Sequence, residues 1–239
     1  MAELKKVIIG IQARSTSKRF PKKVHELLGD KTVLDHMITA AQDSIQYVNH
    51  FSHKNGCVVS MVLCIPFGDI IKNKYSNYNI TEGPEHDVLK RYSIMQDAWN
   101  ADYVVRITAD CPLIPSFIIS THIMKAVLNK YDYFSNVDER CRTTPDGWDC
   151  EVISKRLLKY VDENALDLLD REHVTTFIRS HPPAWIKQGT IINFLDLSDM
   201  KVSFDTKADQ LAIKDQFEKR EAKLKRAISI YGKTAVHRI

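Results

Sequence analysis

The sequence predicts an α/β fold: a mostly parallel, doubly wound sheet with helices on both faces. Two observations predict it. Short apolar runs rich in β-branched residues recur at 7–11, 57–65 and 103–107, near-continuous as the buried strands of parallel sheets are. Segments with apolar residues at helical spacing separate them, and this alternation argues for right-handed βαβ crossovers. None of the 239 residues falls in a linker rich in Pro, Gly or Ser, so a single domain spanning 1–239 is expected.

Composition narrows the class. Hydrophobic residues make up 44% and charged residues 27%, ordinary values for a globular protein. No apolar run approaches a membrane span, and the opening Met-Ala-Glu-Leu-Lys-Lys is too polar for a signal peptide, so no membrane is expected. A net charge of +4 is too mild to indicate a nucleic-acid partner. The five cysteines (Cys57, Cys64, Cys111, Cys141, Cys150) are odd in number and lack C-x-x-C spacing. That argues against a disulfide framework or structural zinc, and for a cytoplasmic location.

Taken in order, the strand over 7–11 leads into a polar loop, and Gly29-Asp30 marks a turn. Thr32 can cap a helix reaching Tyr47, with Asp35 as capping partner and Val33, Leu34, Met37, Ile38 and Ala41 on one face. Pro66-Phe67-Gly68 closes the strand over 57–65; a short helix over 69–75 and a strand over 78–81 follow. Beyond the polar loop 82–87, Val88, Tyr92, Met95 and Trp99 form a helical stripe. The strand over 103–107 runs into Thr108-Ala109-Asp110-Cys111-Pro112, then a helix over 115–130 and a strand over 131–135. The second half is less regular. It should hold strands over 148–153, 188–194 and 201–204, helices capped by Ser154 and Asp170, and a last helix over 207–231 ending at Gly232.

Chemistry gathers at two kinds of place. The segment after the first strand carries Arg14, Lys18, Arg19, Lys22 and Lys23 among Ser15, Thr16 and Ser17. Loops leaving parallel strands are where open α/β sheets bind ligands, and a cationic, hydroxyl-rich one suits a polyphosphate; a solvated basic loop is the alternative. Asp110 and Asp205 each stand just past an expected strand end. If both strands share one sheet and direction, the acids meet above the same edge as the basic loop. One or two carboxylates plus substrate phosphates is how magnesium is bound, whereas an Asp before a helical segment can simply be its N-cap.

Residues 11–23 resemble the I-Q-A-R-x-x-S-x-R-x-P-x-K signature of sugar-acid cytidylyltransferases, the acylneuraminate and 3-deoxy-manno-octulosonate group, nearest its spore-coat-polysaccharide branch. The similarity continues in the family's order. Its blocks begin at Glu85-His86-Asp87, Arg106-Ile107-Thr108, Asp132-Tyr133-Phe134, Pro145-Asp146-Gly147-Trp148-Asp149, Arg171-Glu172-His173 and Val202-Ser203-Phe204-Asp205. The resemblance implies a Rossmann-like, glycosyltransferase-A-type nucleotidyltransferase that uses CTP and Mg2+ and joins CMP to an anionic acceptor with release of pyrophosphate.

By motif, Arg14, Ser17, Arg19 and Lys23 would hold the triphosphate beside Gln12 and Ala13, with Arg14, Lys23 and Asp110 in catalytic roles. Asp110 and Asp205 would hold the metal, and the block containing His86, Asp87 and Arg91 would lie near cytosine and ribose. Asp146, Asp149, Arg171, Glu172 and His173 would line the acceptor side, within a subregion around 131–195. A homodimer is implied by the same resemblance.

Two positions depart from the pattern. Many relatives carry glycine where this chain has Thr16 and Lys22, and adjacent lysines leave open whether Lys22 or Lys23 reaches the phosphates. Asp170-Arg171-Glu172 could also be no more than a helix start. Other functions stay open too: a glycosyltransferase, disfavoured because no Asp-x-Asp pair ends an expected strand, and a non-catalytic nucleotide-binding subunit. Acceptors bearing phosphate or phosphonate fit the scaffold as well.

Overall fold

In the computed structural model, which describes residues 3–192 and 196–219, β1 (Lys5–Gln12) pairs in parallel with β2 (Cys57–Pro66) on one side. The sheet continues through β3 (Ile80–Gly83), β4 (Tyr103–Thr108), β5 (Tyr133–Ser135), β6 (Glu151–Ser154) and β7 (Gln188–Thr190). Spatial order is β3-β2-β1-β4-β6-β5-β7. Only β6 runs antiparallel to its neighbours, so the sheet is mostly parallel as expected.

Period-two alternation in β1 assigns its residues to two cores. Val7, Ile9 and Ile11 pack with helices α1 (Val33–His50) and α3 (Ser116–Leu128), through Leu34, Met37, Ile119 and Ile123. Ile8 turns the other way, toward α2 (Val88–Trp99) and α4 (Lys155–Asn164), where Leu89, Met95, Leu157 and Leu158 are buried. Burial of each such aliphatic side chain stabilises the fold by about 1.5–3 kcal/mol. Helices therefore cover both faces. The start of α1 has the predicted chemistry: Thr32 and Asp35 form a reciprocal capping box.

Four elements of the second half differ from expectation. The strand predicted over 148–153 begins only at Glu151, because the Asn136 side chain binds the backbone before it. Its amide donates to the Trp148 carbonyl (2.8 Å) and its oxygen accepts from Cys150 N (2.9 Å). The helix expected to be capped by Asp170 is α5 (Leu168–His173), and its cap is Asp167, which accepts from Leu169 N at 2.7 Å. Arg171, Glu172 and His173 thus lie in its body, ahead of α6 (Thr176–Ser180).

Segment 201–204 is no sheet strand. It makes one bridge, Lys201 to Asp146, and its apolar residues Val202 and Phe204 pack with Phe20, Leu28, Val33, Leu113 and Ile213. Over 188–194, strand pairing is confined to Gln188–Thr190, and 193–194 lie outside the described residues. The last helix, α7, is described over 207–219, and the predicted continuation to Gly232 lies outside the described residues.

Candidate active site

Parallel pairing of β1 with β2 and β4 puts their C-terminal ends on one edge, with Gln12 level with Cys64 and Thr108. The basic loop leaves from that edge. It folds back on itself where Lys22 N donates to the Ser15 carbonyl (2.9 Å). Ser15 anchors it to the β2 side, donating to Asp69 from its amide (2.8 Å) and its hydroxyl (2.6 Å). Phe20 anchors the other flank by stacking on Phe204 with centroids 5.5 Å apart.

The two departures from glycine have different outcomes. Lys22 adopts φ 60°, ψ 18°, the left-handed conformation that glycine adopts without strain. Thr16 has an ordinary φ, and its hydroxyl donates to Glu85 Oε1 at 2.5 Å, joining the basic loop to the loop before α2.

Between these loops lies a cleft of about 400 Å³. Ten predicted residues line it: Gln12, Ala13, Arg14, Ser17, Arg19, Lys23, His86, Asp110, Glu172 and Asp205. Its centre is an ionic triad. Lys23 Nζ stands 2.5 Å from Asp110 Oδ2 and 3.1 Å from Asp205 Oδ1. Burial alone would lower the Lys23 pKa, but the two carboxylates outweigh it and hold the ammonium above the ordinary lysine value. Burial likewise pushes Asp205 up, while Lys23, Ser203 and Lys201 bring it below the usual carboxylate range. Lys22 is exposed and does not line the cleft, so of the adjacent lysines it is Lys23 that faces the site.

Neither aspartate is a helix cap. The N-cap of α3 is Pro115, and at α7 Thr206 Oγ1 accepts from Asp209 N (3.2 Å) while Asp209 accepts from Thr206 N (2.8 Å). Two carboxylates converging on one cation is a donor set that fits a magnesium ion completed by water and substrate phosphates. No cluster of three or more His, Cys, Asp and Glu suited to an all-protein metal cage occurs among the described residues.

Six predicted residues lie outside the cleft wall. Arg91 is fully buried and holds backbone, donating to the carbonyls of Cys64 (3.1 Å) and Glu85 (3.5 Å). Asp87 caps α2 through Lys90 N (2.9 Å) and accepts from Arg171 Nε (2.7 Å). The Arg171 guanidinium is consumed by Asp87, by Asp162 (2.7 Å) and by the carbonyls of Asp162 and Ala165 (3.1 and 3.0 Å). It ties α5 to α2 and α4. Its neighbour Glu172 does reach the cleft, 3.6 Å from Arg14.

Asp149 and His173 line a second pocket of about 370 Å³, whereas Asp146 lies outside it, 4.0 Å from Arg142 and accepting from Ser203 Oγ at 3.3 Å. Sequence reasoning assigned no role to the arginines there. Arg142 is paired with Asp149 at 2.5 Å. Glu151, 1% exposed, receives Arg106 (2.5 Å) and the Tyr133 hydroxyl (2.5 Å), with Arg179 3.5 Å away. Burial raises the Glu151 pKa, yet Arg106, Tyr133 and Thr175 outweigh it and keep the carboxyl below its usual range. Two donors at this pocket, Arg106 Nε and Thr176 Oγ1, are buried without a protein partner. The available signal was Arg106, a charge inside the otherwise apolar strand 103–107.

A mostly parallel sheet with cations and paired acids gathered at the C-terminal edge of its strands has the ligand site of an open α/β fold. The chain belongs to the cytidylyltransferase family, whose profile matches residues 7–233. It is 26% identical over 229 residues to the spore coat polysaccharide biosynthesis protein SpsF of Bacillus subtilis, covering 89% of this chain and 87% of that protein. A cytidylyltransferase from Leptospira borgpetersenii is similar in structure, with a TM-score of 0.76, 27% identity and coverage of 88% and 85%. CMP:2-keto-3-deoxy-manno-octonic acid synthetase, in complex with CTP, shares the fold with a TM-score of 0.64 at 12% identity, over 90% of this chain and all of that one.

Proposed function

We propose that this cytidylyltransferase transfers CMP from CTP to an anionic, hydroxyl-bearing acceptor, releasing pyrophosphate, as a cytoplasmic step in making a surface polysaccharide. One observation carries the reading: Lys23, Asp110 and Asp205 form an ionic triad inside a cleft also lined by Arg14, Ser17 and Arg19. The polysaccharide setting draws support from SpsF, and the cytoplasmic setting from five cysteines that are all free. No helix among the described residues is long and apolar enough to cross a membrane.

In this reading Arg14, Ser17, Arg19 and Lys23 orient the triphosphate. An acceptor oxygen attacks the α-phosphorus in line, the bond to the bridging oxygen breaks, pyrophosphate leaves with that electron pair, and the acceptor hydroxyl's proton passes to solvent water. Magnesium, held by Asp110 and Asp205 together with substrate phosphates, would supply charge neutralisation on the leaving group. Fixed cations placed where charge develops lower the barrier because they need little reorganisation. Gln12, Ala13 and His86 face the nucleotide, while Arg91 and Asp87 act on it indirectly by fixing the loop around Glu85 and the start of α2.

The acceptor occupies the second pocket, lined by Asp149 and His173, with Asp146 beside its Arg142 and Glu172 in the cleft wall. Arg179 supplies the cation there, since Arg171 is consumed elsewhere. The three arginines lining the pocket, Arg106, Arg142 and Arg179, favour a ligand rich in acceptor oxygens, a carboxylate or a phosphate among them. A homodimer belongs to the same reading. Leu166, Leu168 and Leu169, between 65% and 85% exposed, give it an apolar surface to bury, and sedimentation tests it.

The enzymatic reading is tested by incubating the protein with CTP, magnesium and a panel of acidic sugars, sugar phosphates and phosphonates. Pyrophosphate release with at least one acceptor is expected. CTP binding in a calorimeter without release from any of them would indicate a non-catalytic nucleotide-binding subunit.

A further inference from the structure

The Lys23 ammonium stands where the divalent ion would be needed. It lies 2.5 Å from Asp110 Oδ2 and 3.1 Å from Asp205 Oδ1, closing the gap between the two carboxylates. A magnesium ion needs oxygens at about 2.0–2.1 Å, so an ion bridging this pair would overlap the ammonium. The two cations would also repel each other across a partly desolvated space.

The backbone of Lys23 is fixed. Its amide donates to the Phe20 carbonyl (3.3 Å), its carbonyl accepts from Glu26 N (3.2 Å), and the preceding turn is tied by Lys22 N to Ser15 O. What can move is the four-carbon stem, a flexible carrier for a point charge. Arg14 and Arg19 stand in the same cleft, and Arg19 makes only a 3.5 Å contact to Asp205 from a side chain that is 73% exposed. A polyphosphate drawn in by these arginines would offer Lys23 new oxygens in exchange for those it leaves.

We propose that Lys23 closes the metal site of the nucleotide-free protein, and that a polyphosphate opens it by drawing the ammonium off Asp110 and Asp205. The proposal rests on reading the cleft as a metal–triphosphate site. Its consequence is thermodynamic: metal alone binds weakly, and metal and nucleotide each strengthen the other's binding by the same factor. Between turnovers the carboxylate pair keeps a counter-charge and its geometry.

The test measures Mn2+ binding by electron paramagnetic resonance of the free ion, with no nucleotide present, in the wild-type protein and in Lys23→Met. The variant should bind Mn2+ at least ~10-fold more tightly than wild type, because a competing positive charge has gone. Lys22→Met, which changes an exposed neighbour, should match wild type. If Lys23→Met does not fold by circular dichroism, Lys23→Gln serves in its place. Wild-type affinity equal to that of the Lys23 variant would overturn the proposal. If Mn2+ binds neither protein, even with CTP beyond what CTP itself chelates, the metal–triphosphate reading fails and the proposal with it.

Discussion

The backbone amide of Phe204 donates to the carbonyl of Asp110 over 2.7 Å, and this bond brings Asp205 to the sheet edge without a strand beneath it. Segment 202–205 is laid against the end of β4 and against Gly147. Gly147 has φ +106°, and a Cβ there would stand 2.7 Å from both Ser203 N and Val202 C. Gly147→Ala should therefore displace the segment and carry Asp205 away from Lys23. We expect a loss of more than ~1 kcal/mol in stability together with a severe loss of turnover, measured by thermal unfolding and pyrophosphate release.

Lys22 and Lys23 are adjacent but should behave oppositely. Lys22→Gly relieves a left-handed strain of about 1 kcal/mol and adds a comparable unfolded-state entropy, so the melting temperature should hardly change. Turnover should persist. Lys23→Met should lower it by ~100-fold or more at saturating CTP, as removal of a charge-stabilising donor does.

Arg171 should prove structural. Arg171→Ala leaves Asp87 and Asp162 without their shared guanidinium and should destabilise the protein by roughly 2 kcal/mol, well beyond any specific change in acceptor KM.

Its partner gives this a pH signature. Burial raises the Asp162 pKa, but hydrogen bonds from Arg171, Ser93 and Lys90 bring it below the ordinary carboxylate value. In the window between the folded and unfolded pKa values the unfolded chain binds more protons. The stabilisation is thus fully present above the unfolded pKa, about 4, and is lost as pH falls through the lower folded value. The stability gap between wild type and Asp162→Asn, measured by urea unfolding from pH 7 downward, should hold to about pH 5 and then narrow.

Arg179 should prove specific to the acceptor. Arg179→Gln should raise the KM of whichever acidic acceptor supports release by ~10- to 100-fold and leave the KM for CTP unchanged. An equal rise for both substrates would place its role in the fold instead.

What was legible in the sequence follows the range of the interactions. The first half could be read because local signals agree there. β1, β2 and β4 hold near-continuous apolar runs, broken in β4 only by Arg106, and Thr32 with Asp35 caps α1 as the spacing indicates. The second half is held by long-range side-chain-to-backbone bonds, such as those of Asn136 to Trp148 and Cys150, which no local periodicity announces. Of the candidate site, the residues that the sequence singles out in the basic loop and the two aspartates are brought together in one cleft, although Asp205 arrives by a backbone bond and not by the strand inferred for it. Arg171 looked like a ligand-binding cation, but its destination depends on Asp162, a residue in α4 that only the tertiary structure brings near. Arg179 and Thr176 carried no signal, since an arginine on a short helix ordinarily faces solvent.

The central claim is that Asp110, with Asp205 and Lys23, organises a metal–triphosphate transfer. The most direct test is pyrophosphate release by Asp110→Asn with saturating CTP, magnesium and an acceptor active with wild type. A fall in kcat of ~100-fold or more, with the melting temperature within a few degrees of wild type, is the predicted result. Turnover close to wild type in a folded Asp110→Asn protein would contradict it.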